Sequence, residues 1–124
     1  MQYSILIYGA EGVFDRLPQD EQNALMNSHI ELQEALKARG KFATAKLMPT
    51  QNSVTIKPKM GGGKKPFVID GPYAETKEQF LGFYVMECDT LEEVIELANK
   101  ISSPSVTLEI RPIAWVGGVL GEGE

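Results

Sequence analysis

The chain has one cysteine and one histidine. Cys88 alone cannot close an intrachain disulfide, and it has no nearby base in sequence to activate its thiol. Cys88 and His29 lie far apart and make no spaced ligand set, so no metal is expected. No apolar run approaches the ~20 residues that cross a bilayer. The opening Met1-Gln2-Tyr3-Ser4-Ile5-Leu6-Ile7-Tyr8 lacks a basic region and a cleavage site, and reads as a strand and not as an export signal. These absences give the expectation of a cytoplasmic protein with no membrane partner.

What is present is ordinary for a folded domain. The 124 residues suit one domain, and 43% hydrophobic with 23% charged residues argues against disorder. The formal charge of −5 is uneven. Lys41, Lys46, Lys57, Lys59, Lys64 and Lys65 fall in a stretch from Lys41 to Ile69 that holds no acid. The stretch has only Phe42 and Phe67 as aromatics and no arginine, so lysines guarding a sheet edge explain it better than nucleic-acid binding.

Hydrophobic spacing sets the order of elements. Tyr3, Ile5 and Ile7 alternate with Ser4, Leu6 and Tyr8, as in a central strand apolar on both faces. Pro18, Asp20 and Glu21 open a helix that runs to Arg39 and stops at Gly40, with Leu25, His29, Leu32 and Leu36 on one face, broadened by Met26. Strand-like pieces follow at Lys41 to Met48, Ser53 to Lys57, Pro66 to Ile69 and Leu81 to Glu87, with a Met60-Gly61-Gly62-Gly63-Lys64 hairpin tip. Thr90-Leu91-Glu92-Glu93 is a capping box for a second helix with the stripe Leu91, Val94, Ile95, Ala98 and Ile101. Val106, Leu108 and Ile110 mark a last strand. The order predicts an α+β, ferredoxin-like split βαβ domain with an inserted β-hairpin over 1–113, and a glycine-rich tail over 114–124. Two helices cover one sheet face, so a second copy is expected on the other.

The densest local signal is Asp70-Gly71-Pro72-Tyr73-Ala74-Glu75-Thr76-Lys77-Glu78. Gly71-Pro72 cannot continue a strand, and Asp70 stands where a strand ends. Its carboxylate either accepts backbone N–H bonds within the turn or serves a site. Glu75, Lys77 and Glu78 form a charge cluster that is either a solvated ion-pair group or a means of orienting a ligand. Tyr8, Tyr73 and Tyr84 either line a cleft or fill the core. Gly61-Gly62-Gly63-Lys64-Lys65 lacks the spacing and following helix of a phosphate loop, so no cofactor is expected.

The Asp70 run resembles the DGPF signature of YCII-related proteins, with Tyr73 where phenylalanine is usual. Leu17-Pro18-Gln19-Asp20-Glu21-Gln22, Gly82-Phe83-Tyr84, Asp89-Thr90-Leu91-Glu92-Glu93 and Glu109-Ile110-Arg111-Pro112 look like further landmarks of that family, in order. The resemblance implies a dimeric α/β barrel-like assembly with a cleft near the dimer interface. Most members look like bacterial proteins of unassigned activity, and some relatives lie beside or fused to alternative sigma factors, which suggests a transcription-linked partner. Smaller relatives carry an acid–base pair of a histidine on the first helix and an aspartate near its end, and one branch is associated with eliminating halide from chlorinated aromatics. His29 matches the histidine, but Ala38 stands where the aspartate would be.

Two functional expectations result. The first is a small-molecule binding or regulatory module, with a small organic acid as ligand and a cleft between the His29 helix and the Asp70 turn. Tyr8, Gly71, Pro72, Tyr73, Glu75, Lys77 and Tyr84 are its candidate contacts. The second is a cofactor-free lyase or isomerase in which His29 is the general acid or base and Asp70 the carboxylate that orients it.

Overall fold

A computed structural model describes residues 1–58, 67–74 and 76–121. The hairpin tip, Lys59, Lys64, Lys65 and Glu75 lie outside the described residues. The elements run β1 (Gln2–Gly9), α1 (Gln19–Arg39), β2 (Phe42–Lys46), β3 (Val54–Lys57), β4 (Phe67–Asp70), β5 (Gln79–Glu87), α2 (Leu91–Asn99) and β6 (Val106–Pro112). The main sheet has four strands in the order β2-β5-β1-β6, every pair antiparallel. Each helix therefore connects two strands that a third strand separates, which is the split βαβ pattern expected. β3 and β4 pair as a separate two-stranded sheet.

The hydrophobic core sits between the helices and one face of this sheet. Tyr3 and Ile5 of β1, Tyr84 and Met86 of β5, Leu32 and Leu36 of α1, and Val94, Leu97 and Ala98 of α2 are buried there, with Cys88 and Ile101. Burial pushes the Cys88 thiol above its ordinary pKa, which keeps it protonated and inert. The alternate residues Leu6, Phe83 and Val85 are only half-buried.

Two helix faces differ from the spacing pattern. Met26 is 53% exposed and does not widen the α1 stripe. In α2 Leu91 and Ile95 are exposed, while Leu97 is buried in their place. A nine-residue helix meets the sheet along a narrow line, so its flanking apolar residues stay in water. The β-strand edges shift by one or two residues: β5 begins at Gln79, and β4 includes Asp70. A register shift between Ile7 and Tyr8, opposite Leu81, inserts a bulge between β1 and β5.

Thr90 caps α2, accepting the Glu93 N–H at 3.2 Å. The reciprocal half of the capping box is replaced, because the Glu93 carboxylate pairs with Arg39 at 2.5 Å and ties the end of α1 to the start of α2. Thr90→Ala will therefore lower stability by about 1 kcal/mol in urea titration. A loss as small as that of an exposed substitution would show that Arg39–Glu93 carries the cap.

Candidate functional site

The signature turn is built by β3. The Gly71 N–H donates to Ser53 O at 2.7 Å, and the Thr55 hydroxyl donates to Gly71 O at the same distance. Gly71 has φ +104, a region that side chains rarely adopt, so glycine is required by the backbone and not by space. With both of its polar groups held, Gly71 presents Pro72 and then Tyr73, which is 79% exposed. The Lys57 ammonium lies 5.8 Å from the Tyr73 ring centre, a cation–π contact between β3 and the turn.

Two clefts adjoin this turn. The first, about 570 Å³, is lined by Glu11, Gly12, Pro49, Thr50, Gln51, Pro72, Thr76 and Gln79. The second, about 510 Å³, shares Thr50, Pro72 and Gln79 and adds Tyr73, Phe80 and β3 residues. Their common wall makes them one groove between the turn and the start of β5. Glu11 is spent structurally, since its carboxylate accepts from the backbone N–H and the hydroxyl of Thr50, which holds its pKa below the ordinary value. The groove therefore offers amides, hydroxyls and the rings of Tyr73 and Phe80, with little free charge. Thr50, Thr76 and Gln79 are not among the candidate contacts read from sequence; Thr76 and Gln79 belong to or adjoin the signature run, but no motif marks Thr50, and only the folding of three loops together makes them neighbours.

His29 lies elsewhere, and neither cleft is lined by it or by Asp70. Half-buried on α1, its Nδ1 stands 2.7 Å from the Tyr84 hydroxyl, and the two rings stack at 5.7 Å with 16° between their planes. Gln33, one turn on, donates to the same hydroxyl at 3.3 Å. Tyr84 is thus a core residue, 1% exposed, whose oxygen is shared by two α1 side chains. Asp70 is exposed on β4 opposite Val54, in the other sheet. Among the described residues no hydrogen bond or ion pair joins it to His29, and the imidazole takes its partner from Tyr84. The β5 tyrosine has no sequence signal tying it to the helix; only the sheet register sets it beneath His29.

Tyr8 sits on the sheet face away from the helices, donating to Glu109 at 3.2 Å, while Glu109 also pairs with Arg111 at 2.7 Å. Its ring contacts Phe80, which stacks on Phe83. Lys77 is exposed. Among the described residues no group of three or more His, Cys, Asp or Glu could hold a metal ion. No helix among them is long and apolar enough to cross a membrane.

Desolvation, and secondarily the Lys46 charge, lowers the His29 pKa below its ordinary value. The folded protein then binds fewer protons than the unfolded chain just below that value, so acidification favours unfolding. Stability will rise with pH across this window and level off, for this group, above about pH 6.5. Urea midpoints from about pH 5 to 7.5 should show the slope in the parent and lose it in His29→Gln. Equal slopes in both proteins would exclude His29 as the source.

The fold and the turn define an α+β domain of split βαβ type with an inserted hairpin. The chain belongs to the YCII-related domain family, whose model matches residues 1–114. It is similar to the uncharacterized protein R00369 of Rhizobium meliloti (strain 1021), 36% identical over 118 residues that span 92% of this chain and 93% of that protein.

Proposed function

We propose that the protein is a homodimeric small-molecule binding module whose ligand occupies the groove at the signature turn. The observation that carries this reading is the groove that Pro72, Tyr73 and Thr76 of the signature run line together with Thr50, Gln79 and Phe80. Aromatic rings flanked by amides and hydroxyls suit a small, partly planar, polar molecule, and a small organic acid meets that description. Dimerisation is supported by the second sheet face. Leu6, Phe83 and Val85 there are half-buried and outside the core, and Phe80 is 37% exposed. A second copy packed sheet to sheet would bury them.

A thermal-shift panel of small organic acids and neutral metabolites tests the binding. A stabilising ligand should lose its effect in Tyr73→Ala, whose exposed ring contributes little to folding, and the melting temperature of the unliganded variant should stay near the parent's. No shift across the panel would remove the reading. Sedimentation equilibrium tests the dimer separately.

A second reading, a cofactor-free lyase or isomerase using His29, is favoured by one observation. His29 is the only histidine, one of its nitrogens is anchored, and the other makes no bond with a described residue. In that reading Tyr84, in place of Asp70, orients the imidazole.

A further inference from the structure

The His29–Tyr84–Gln33 group fixes more than a position. The Tyr84 oxygen accepts from Gln33, so its own hydrogen needs a separate acceptor. Tyr84 is 1% exposed, so bulk solvent does not reach it, and His29 Nδ1 at 2.7 Å is the acceptor that its described contacts supply. A phenol that donates to Nδ1 leaves that nitrogen without a proton. The single proton of a neutral ring then resides on Nε2. Among the described residues the fully enclosed side-chain polar atom without a partner is Gln2 Oε1, so the unbonded Nε2 of half-buried His29 keeps some solvent-accessible surface.

We propose that Tyr84 holds His29 as the neutral Nε2–H tautomer, and that this outward N–H is a donor site for a carboxylate or carbonyl oxygen. The ligand half rests on the second functional reading; the tautomer half does not. The consequence for chemistry is a change of role. An Nε2 that already carries its proton gives a hydrogen bond to an oxygen and does not take a proton from carbon. Lys46, on the edge strand β2, adds positive charge close enough to oppose a second proton on the ring. The same charge favours an anionic acceptor over a cationic one. Tyr84 is a positioning residue here, since it acts only through the imidazole.

Because the chain has one histidine, protein labelled with ¹⁵N-histidine gives one pair of ring nitrogen signals. Above the titration of the ring, Nδ1 should show the far-downfield shift of an unprotonated nitrogen and Nε2 the shift of a protonated one. The Tyr84 hydroxyl proton should exchange slowly enough to be observed. In Tyr84→Phe the two nitrogen shifts should move toward each other as the tautomers mix. Averaged nitrogen signals in the parent, or a proton on Nδ1, would overturn the assignment without any variant being needed. Sodium acetate is the ligand probe, with sodium chloride at equal ionic strength as control. A saturable acetate shift of Nε2 supports the donor site, and equal responses to the two salts overturn it. A fixed tautomer in a protein that turns nothing over would sink the lyase reading alone, while mixed tautomers would sink this inference alone.

Discussion

Leu32→Ala will cost about 2–5 kcal/mol of stability, the range for deleting a fully buried leucine and leaving a cavity. Leu32 is 0% exposed and belongs to the core with Tyr3, Ile5, Tyr84, Met86 and Val94, which come from both strands of the sheet centre and from α2. Few of these can shift to fill the hole, because the central strands are held on both sides by neighbours. Domains of this kind have total stabilities of about 5–15 kcal/mol, so the loss is a large share of the whole. Met26→Ala, six residues earlier on the same helix, is the control. At 53% exposure Met26 should change stability by less than about 0.5 kcal/mol. Urea denaturation of both variants reads the difference. Comparable losses would mean that α1 is seated on another face.

That contrast marks what could be read from the chain. Leu32 and Leu36 follow from helical spacing, Gly40 from its role as terminator, and Thr90 from the cap, because each depends on residues within one or two turns. The split βαβ order followed from counting elements. Spacing failed at Met26, Leu91 and Ile95, where an apolar residue stands beside the buried line but not on it. Pattern reports which side of a helix is apolar; the width of the contact depends on how closely the sheet approaches.

The site was less legible for the same reason. The Gly71 turn could be placed from sequence, since a glycine–proline step is a local constraint. The partner of His29 could not. Ala38 stands in place of the carboxylate expected on the same helix, and among the acids of the signature run Asp70 is the one at a strand end. The bond is made instead by Tyr84, 55 residues away, whose strand is brought under α1 by its pairing with Ile5. The groove shows the same limit, because Thr50 and Gln79 meet Pro72 only after three loops converge.

Gly82→Ala should be nearly as damaging as the Leu32 cavity, though it adds one carbon and removes nothing. A Cβ built at Gly82 would lie 2.5 Å from Ala45 O and 3.4 Å from the Lys46 Cα, both backbone atoms of β2. A flexible side chain could swing aside from such a contact, but a strand cannot. Either β2 separates from β5 or β5 buckles toward the bulge beside Tyr8, and overpacking of this kind costs about 1–3 kcal/mol, sometimes more. With backbone as the obstacle, a value near the upper end is expected. The damage should be local in origin: among the described residues β2 is an edge strand with β5 as its one neighbour in the sheet, and Leu47 N–H also donates to Leu81 O. Hydrogen exchange should therefore accelerate first at Ala45 and Leu47, while the amides of β1 stay protected. Desolvation is the larger cause of the lowered His29 pKa, but the Lys46 charge adds to it and rides on this strand, so the displaced strand should also let that pKa climb part of the way back toward its ordinary value. A Gly82→Ala protein with the parent's stability and unchanged His29 titration would show that the edge strand yields freely, and the close approach of β2 would then have no part in holding the site.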